Sequence, residues 1–416
     1  MKYGFMTFVL FLYAMVMTAQ RNEIYDDRIQ SLQVVANGDW LSPPVMELHD
    51  GRVSIDFDDM THEYTRYTYK LEHCNWNWTK NDEIFDSDYC EGFTEGNTID
   101  DVQESLLTNT LYTHYSLKLP NNECKMKISG NYRVTVYDEN AGNIPVFSAC
   151  FMITEPKAKL MTLGMSITGN TDAGFNTHFQ QVAMTLNYGK LYTVTDPTRQ
   201  LKTVVTQNGR WDNARWNAKP QFVRHDGFAW DHCRDYIFDG GNEYHQFEIL
   251  STDVAAMGID KIRWDGTEYH AYPFVSKIRL NYLYDEDAKG AFYIRNSDNI
   301  GNDYQSDYMT VHFELETPRP ADGEVYVNGQ WTHDSFLPKY KMEYNDNAKR
   351  YECEIPLKLG YYSYQYVLVK NGVAGIMPTE GNFFQTQNNY QALVYYRETG
   401  GRTDRLVAYT QVAARF

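Results

Sequence analysis

The stretch Ile128-Ser129-Gly130-Asn131-Tyr132-Arg133-Val134-Thr135-Val136-Tyr137 decides the fold. Tyr132, Val134 and Val136 alternate with Asn131, Arg133 and Thr135, the period of a β-strand with one face in a core. Ser129-Gly130-Asn131 supplies the turn before it. Two other segments share this character. Tyr69-Lys70-Leu71-Glu72-His73-Cys74-Asn75-Trp76-Asn77-Trp78 reads as the edge of a sandwich strand, with Trp76 and Trp78 on one face of any strand they occupy. Asn109-Thr110-Leu111-Tyr112-Thr113-His114-Tyr115, running on to Leu119-Pro120-Asn121, reads the same way. The ordinary role of such tryptophans and tyrosines is core packing with the polar tip hydrogen-bonded.

Composition extends this reading to the whole chain. With 34 Tyr, 21 Phe and 8 Trp in 416 residues, side chains that suit pleated surfaces dominate, and an all-β fold follows. The length allows two or three domains. Strand-like runs and turn signals divide the chain into three consecutive β-sandwich, immunoglobulin-like domains after a leader at residues 1–19. They are an N-terminal sandwich at 20–156, a central β-rich domain at 157–302 and a C-terminal domain at 303–416. Glu155-Pro156-Lys157 marks the first boundary. Asn37-Gly38, Asn208-Gly209, Asn328-Gly329 and Asn371-Gly372 supply turn chemistry. Strands are expected at 29–35, 53–57, 182–186, 201–206, 278–284, 311–315, 361–369 and 391–396, among others. Residues 81–110 form a long excursion with one turn of helix, of the kind that carries binding in a sandwich.

The leader has Lys2 ahead of an apolar run from Gly4 to Val16, shorter than the ~20 residues that span a bilayer, and reads as a secretory signal peptide cut after Ala19. Removing Lys2 with it takes the net charge from −17 to −18. An acidic surface repels phosphate backbones, so nucleic acid is not an expected partner. No other run approaches transmembrane length, so no membrane insertion is expected either.

No catalytic or cofactor-binding constellation emerges. The histidines lack metal-protease spacing, and nucleophile elbows and phosphate loops are absent from the sequence. Asp231-His232-Cys233 places neighbours on opposite faces of a strand. Asp56, Asp58 and Asp59 could hold calcium, but alternation with Val53, Ile55 and Phe57 makes them the solvated face of a strand. Asn296 to Gly301 departs from a calcium loop at Ile300 and is read as a plain loop. The six cysteines, at 74, 90, 124, 150, 233 and 353, have no metal or redox spacing. One or two bridges in the first domain and free buried thiols are both compatible with their positions. No metal, no cofactor and no enzymatic activity are therefore expected.

Taken together, the three segments resemble the signature of the type IX secretion system plug proteins of the Bacteroidetes. The residues that carry it are His73, Cys74, Asn75 and Trp78; Asn109, Thr110, Tyr112, His114 and Tyr115; Pro120 and Asn121; and Ser129, Gly130, Asn131 and Tyr132. The resemblance continues through Leu41-Ser42-Pro43-Pro44, Ile55 to Asp59, 271–283, Val311-His312-Phe313 and Asp404-Arg405-Leu406. Asn77 departs from it, since the family more often has an acid there. The resemblance implies a periplasmic, non-catalytic protein that closes the periplasmic mouth of the giant outer-membrane translocon barrel. The signature residues would then be structural, and the 81–110 excursion is the candidate contact with the barrel.

Two other readings come from the third domain and the carboxyl end. The segments 325–329 and 360–366 look like the early-set modules appended to glycan-active enzymes, which makes an exported carbohydrate-binding protein the alternative, with Trp331 as its one candidate sugar platform. The last strand, 406–416, ending in Phe416, invites an outer-membrane barrel, but the abundance of Asn, Asp and Glu leaves no continuous apolar outer face.

Overall fold

Gly130–Asp138 buries Tyr132, Val134 and Val136, as its alternation dictates, and is the hub of one of two ten-stranded sheets. It pairs antiparallel with Tyr67–Cys74 on one side and with Ile144–Thr154 on the other. The computed structural model describes residues 22–174 and 177–416, so the expected leader lies outside the described residues. The chain is almost entirely β; its α-helices, among the described residues, are single turns such as Asp86–Tyr89 in the long excursion.

The hub sheet does not stop at the end of the first domain. Ile144–Thr154 meets Arg405–Ala413 in parallel at Thr154 and Leu406. Arg405–Ala413 then pairs with Asn389–Tyr396, which pairs with Leu201–Gln207, which pairs with Arg210–Trp216. One ten-stranded sheet thus runs through segments from all three expected domains. The other large sheet also mixes segments. His245–Ile249 and Phe292–Ile294 pair with Gly360–Lys370, and Tyr269–Pro273 runs parallel to Tyr308–Glu316. Strand pairing therefore crosses both positions read as boundaries, 156/157 and 302/303. Turn residues report where the chain reverses, and they carry no information about which sheet a strand joins.

Three cores result. In the first, half of the hub sheet packs on the four-stranded sheet of Ile29–Ala36, Val53–Asp59, Thr113–Leu119 and Asp101–Glu104, around Phe57, Leu71, Tyr115 and Phe147. The second lies between the other half, with Tyr390, Val394 and Val407, and a five-stranded sheet carrying Val182 and Trp230, joined by Tyr236 from a 3-10 turn. The third gathers Phe247, Phe313, Trp331 and Tyr362. A fourth cluster, Cys74, Trp78, Cys150, Val204, Trp211 and Tyr395, covers the hub sheet where its two halves meet.

Several local expectations change. Asn37-Gly38, Asn208-Gly209 and Asn371-Gly372 all have positive φ at both residues, the turn geometry their sequence predicts. Asn328-Gly329 instead leads into the 3-10 turn Gln330–Thr332. Residues 278–284 make no ladder, and Trp76 and Trp78 sit in a turn beyond the strand. Asp231, His232 and Cys233 also follow a strand rather than occupy one; Cys233 is buried, and the His232 side chain points outward to Asp172. Asp58 and Asp59 are fully buried rather than solvated: Tyr308 and Lys358 of the third core cover Asp58, while Asp59 points the other way and accepts from the Tyr67 and Thr65 hydroxyls within the first sandwich. Trp331 is buried too, its indole N–H donating to the Ser363 carbonyl at 3.2 Å, so it offers no sugar platform.

Candidate functional site

The signature residues fall into two buried joints and one turn. The first joint starts at Asn75, where the chain leaves its strand. The Trp78 N–H donates to the Asn75 carbonyl at 2.9 Å and the Asn75 N–H donates to that of Thr79 at 2.8 Å. Trp78 takes φ of +65°, uncommon for a bulky residue. This inverted turn drops Trp78 edge-to-face onto Trp211, centroids 5.6 Å apart, and Trp76 onto Trp216 at 5.9 Å. Cys74 is buried in the same cluster, and burial pushes its thiol up to about 12.

Polar atoms of the turn are satisfied by the carboxyl-terminal hairpin. The Trp76 N–H donates to Asp404 Oδ2 at 3.0 Å. Arg397 grips Asp404 at 2.8 and 3.0 Å and reaches Asn75 Oδ1 at 2.9 Å. Asn131 bridges from the hub strand, donating to the Asn75 carbonyl at 3.0 Å and accepting the Tyr395 hydroxyl at 2.8 Å. Beside it the Ser129 hydroxyl donates to Glu155 at 2.6 Å, and Arg405 holds the same carboxylate at 2.9 and 2.8 Å. Burial pushes Glu155 up, yet the bonds from Arg405 and Ser129 outweigh it and keep the carboxyl below its ordinary range. Gly130 is needed by close approach: a Cβ there would lie 2.6 Å from His73 Nε2 and 2.9 Å from the Asp404 carbonyl, with φ at +133°. His73 Nε2 faces the Ser129 carbonyl at 3.3 Å, and burial lowers its pKa to about 4, so the ring is neutral.

The second joint ties the first sandwich to the third core. Asp307 accepts the N–H groups of Asn109 and Thr110 at 2.7 and 2.9 Å. The Tyr112 hydroxyl donates to the Ser306 carbonyl at 2.7 Å. His114 Nδ1 meets Asp58 Oδ1 at 2.8 Å, while Asp58 Oδ2 accepts from Lys358 Nζ and the Tyr308 hydroxyl, both at 2.6 Å. Lys358 also lies 4.2 Å from the centre of the Tyr112 ring, within cation–π range. Tyr115 closes the site locally, its hydroxyl donating to the Thr65 carbonyl at 3.0 Å.

The remaining signature residues shape the first sandwich alone. The Leu119–Pro120 peptide is cis. Asn121 accepts the N–H groups of Glu123 and Cys124 and donates to the Tyr69 hydroxyl at 3.0 Å. Tyr132 stacks on Phe151 and donates to the Ile128 carbonyl at 2.7 Å.

Sequence reading missed Lys358, Tyr308 and Arg397 and placed Asp58 on a solvated face, although each completes a joint. Lys358 did carry a signal, since it stands between Leu357 and Leu359 in an apolar run. The 81–110 excursion, by contrast, presents Phe85, Phe93, Leu106 and Leu107 to solvent. No helix of the described residues is long and apolar enough to cross a membrane.

A family model for the type 9 secretion system plug protein 1st domain matches residues 29–155, the span holding all three signature segments and ending on Glu155 of the first joint. No curated protein matches. Among solved structures, the crystal structure of a hypothetical protein from Parabacteroides merdae ATCC 43184 is 37% identical, with a TM-score of 0.89 over 94% of this chain and 99% of that one. Residues 29–155 thus match the first domain of the plug family, and through that domain the protein belongs to the type 9 secretion system plug family.

Proposed function

We propose that this protein is the periplasmic plug that closes the periplasmic opening of the outer-membrane type IX translocon barrel, by binding and without catalysis. The observation that carries this reading is the pair of buried joints. A plug must withstand being pushed and released as one piece, and the joints lock the three cores together through charge-assisted bonds and tryptophan packing. The signature residues serve this rigidity, while the 81–110 excursion supplies the contact. Phe85, Phe93, Leu106 and Leu107 stand in a segment rich in Asp and Glu, which suits an apolar centre with a polar rim that can be released.

The test is a mild-detergent pull-down of the tagged chain from native outer envelopes, with mass spectrometry of what accompanies it. A very large barrel protein is expected with the full chain and not with a variant carrying Ser and Asn at Phe85, Phe93, Leu106 and Leu107. Equal recovery with both would remove the excursion as the contact, and recovery with neither would remove the plug reading.

A further inference from the structure

Away from both joints, the hairpin of Ile259–Trp264 and Tyr269–Pro273 turns through Asp265-Gly266-Thr267-Glu268. Asp265 Oδ1 is used by the turn, accepting the N–H and hydroxyl of Thr267 at 2.7 and 2.8 Å and the Glu268 N–H at 3.0 Å. Its Oδ2 lies 3.2 Å from His270 Nε2, and Glu268 Oε1 lies 3.8 Å from the same nitrogen. One donor atom from each of the three residues falls within 4.8 Å of the others. Zn²⁺ with bonds of ~2.1 Å at tetrahedral angles needs its ligands about 3.4 Å apart, and both carboxylate oxygens stand near that spacing from the His270 nitrogen.

The inner side of His270 is equally ordered. His270 Nδ1 lies 2.8 Å from His312 Nε2, and His312 Nδ1 lies 3.2 Å from Glu354 Oε1. Tyr272 stacks on His312 at 4.3 Å, nearly coplanar, with Lys261 Nζ 4.7 Å from the Tyr272 ring centre. Two neutral imidazoles carry one N–H each, whereas this row has three gaps to fill. With each Nδ1–H donated along the row, from His270 to His312 and from His312 to Glu354, the outward Nε2 lone pair of His270 faces two carboxylates. A proton on Nε2 or a metal ion would fill that place, and for a metal ion the inner row supplies the partner that fixes the ring and tautomer of a bound histidine.

We propose that Asp265, Glu268 and His270 bind a divalent transition-metal ion, Zn²⁺ by the mixture of imidazole and carboxylate donors, with His312 and Glu354 as its outer partners. The side chains of Asp265 and Glu268 are about half exposed, leaving room for water to complete the coordination. The ion pins the tip of a hairpin whose Thr267 carbonyl accepts Asn109 Nδ2 at 3.2 Å, so it braces the edge of the second joint. This inference stands independently of the plug reading.

The experiment is calorimetric titration of Zn²⁺ into the purified chain after EDTA treatment and buffer exchange. One saturable site is expected. It should be lost in His270→Gln and in the double variant Asp265→Asn, Glu268→Gln, and weakened roughly tenfold or more in His312→Gln. His225→Gln, at an exposed position elsewhere, should bind as the parent does. Circular dichroism and thermal melts in EDTA should match between parent and variants, which separates lost binding from lost folding. Absence of saturable binding by the parent at micromolar Zn²⁺, or unchanged binding by His270→Gln, would overturn the proposal.

Discussion

Lys358 and Asp58, 300 residues apart in sequence, meet at 2.6 Å with both side chains only 1% exposed. The pair is the centre of the joint between the first sandwich and the third core. Removing one partner strands a buried charge, which costs about 3–5 kcal/mol. Lys358→Met should lose that much in equilibrium urea unfolding, and the double variant Asp58→Asn, Lys358→Met should lose less. A single-variant loss no larger than ~1 kcal/mol, the scale of an exposed pair, would mean that the joint does not depend on this contact.

Acid should open the joints. Burial pushes the Asp58 carboxyl up, but the Lys358 ammonium and His114 pull it below its ordinary value, and Arg405 and Ser129 do the same for Glu155. A carboxyl lowered in the folded state contributes stability that is complete above its unfolded pKa, near pH 4, and that is lost as pH falls through the folded one. Far-UV circular dichroism against pH should therefore show a flat region above about pH 4 and a cooperative loss below it. Arg405→Gln should move the midpoint upward.

His73 adds a slope at milder pH. Its folded pKa is about 4, lowered by burial, against an ordinary value of ~6.5. Between the two, the unfolded chain binds more protons, so stability is full above the higher value and falls by up to about 3 kcal/mol as pH drops towards the lower. His333 is lowered to about 4 for the same reason, burial. His73→Asn should accordingly halve, not abolish, the change in urea midpoint between neutral and weakly acid buffer; an unchanged slope would show that His73 protonates freely in the folded state.

Trp78 is the keystone of the first joint, fully buried against Trp211. Trp78→Ala should cost about 3–5 kcal/mol and flatten the near-ultraviolet dichroism of the tryptophan cluster. Retention of that signal would mean that the cluster packs without it.

Cys90 and Cys124 lie on the two strands of one short ladder with sulfurs 3.3 Å apart. The bond from the Cys124 thiol lowers Cys90, which makes it the more reactive partner. Mild oxidation should link them, as read by peptide mass spectrometry without reduction, and should stabilise the chain by about 2–4 kcal/mol. The loop so closed contains Phe93, Leu106 and Leu107. Peptides that remain unlinked under oxidant would show that the two sulfurs cannot approach further.

Much was legible in the sequence because it is local. Alternation at Gly130–Asp138, paired Asn-Gly turns and an aromatic-rich composition each act through nearest neighbours, so the β class and most strands could be read directly. The three signature segments were also visible, and so was Asp404-Arg405-Leu406. Their common purpose was not, because Asn75, Asn131, Arg397 and Asp404 become one network only when a hairpin 322 residues from Asn75 and 264 from Asn131 joins the hub sheet.

The same limit explains the errors. Asp58 has the sequence pattern of a solvated strand face, yet it is buried, as is Trp331, the candidate sugar platform of the alternative reading. Alternation tells which residues share a face of a strand; whether the second face meets water or another core depends on packing between segments far apart. The sequence by itself determined the strands, the turns and the family signature. The tertiary structure decided that sheets cross the expected boundaries, that Lys358 neutralises Asp58, and that two histidines and three carboxylates line up beside the hairpin at 265–270. Each of those depends on contacts between segments far apart in sequence, and at Asp58 the loss of water makes the partner obligatory.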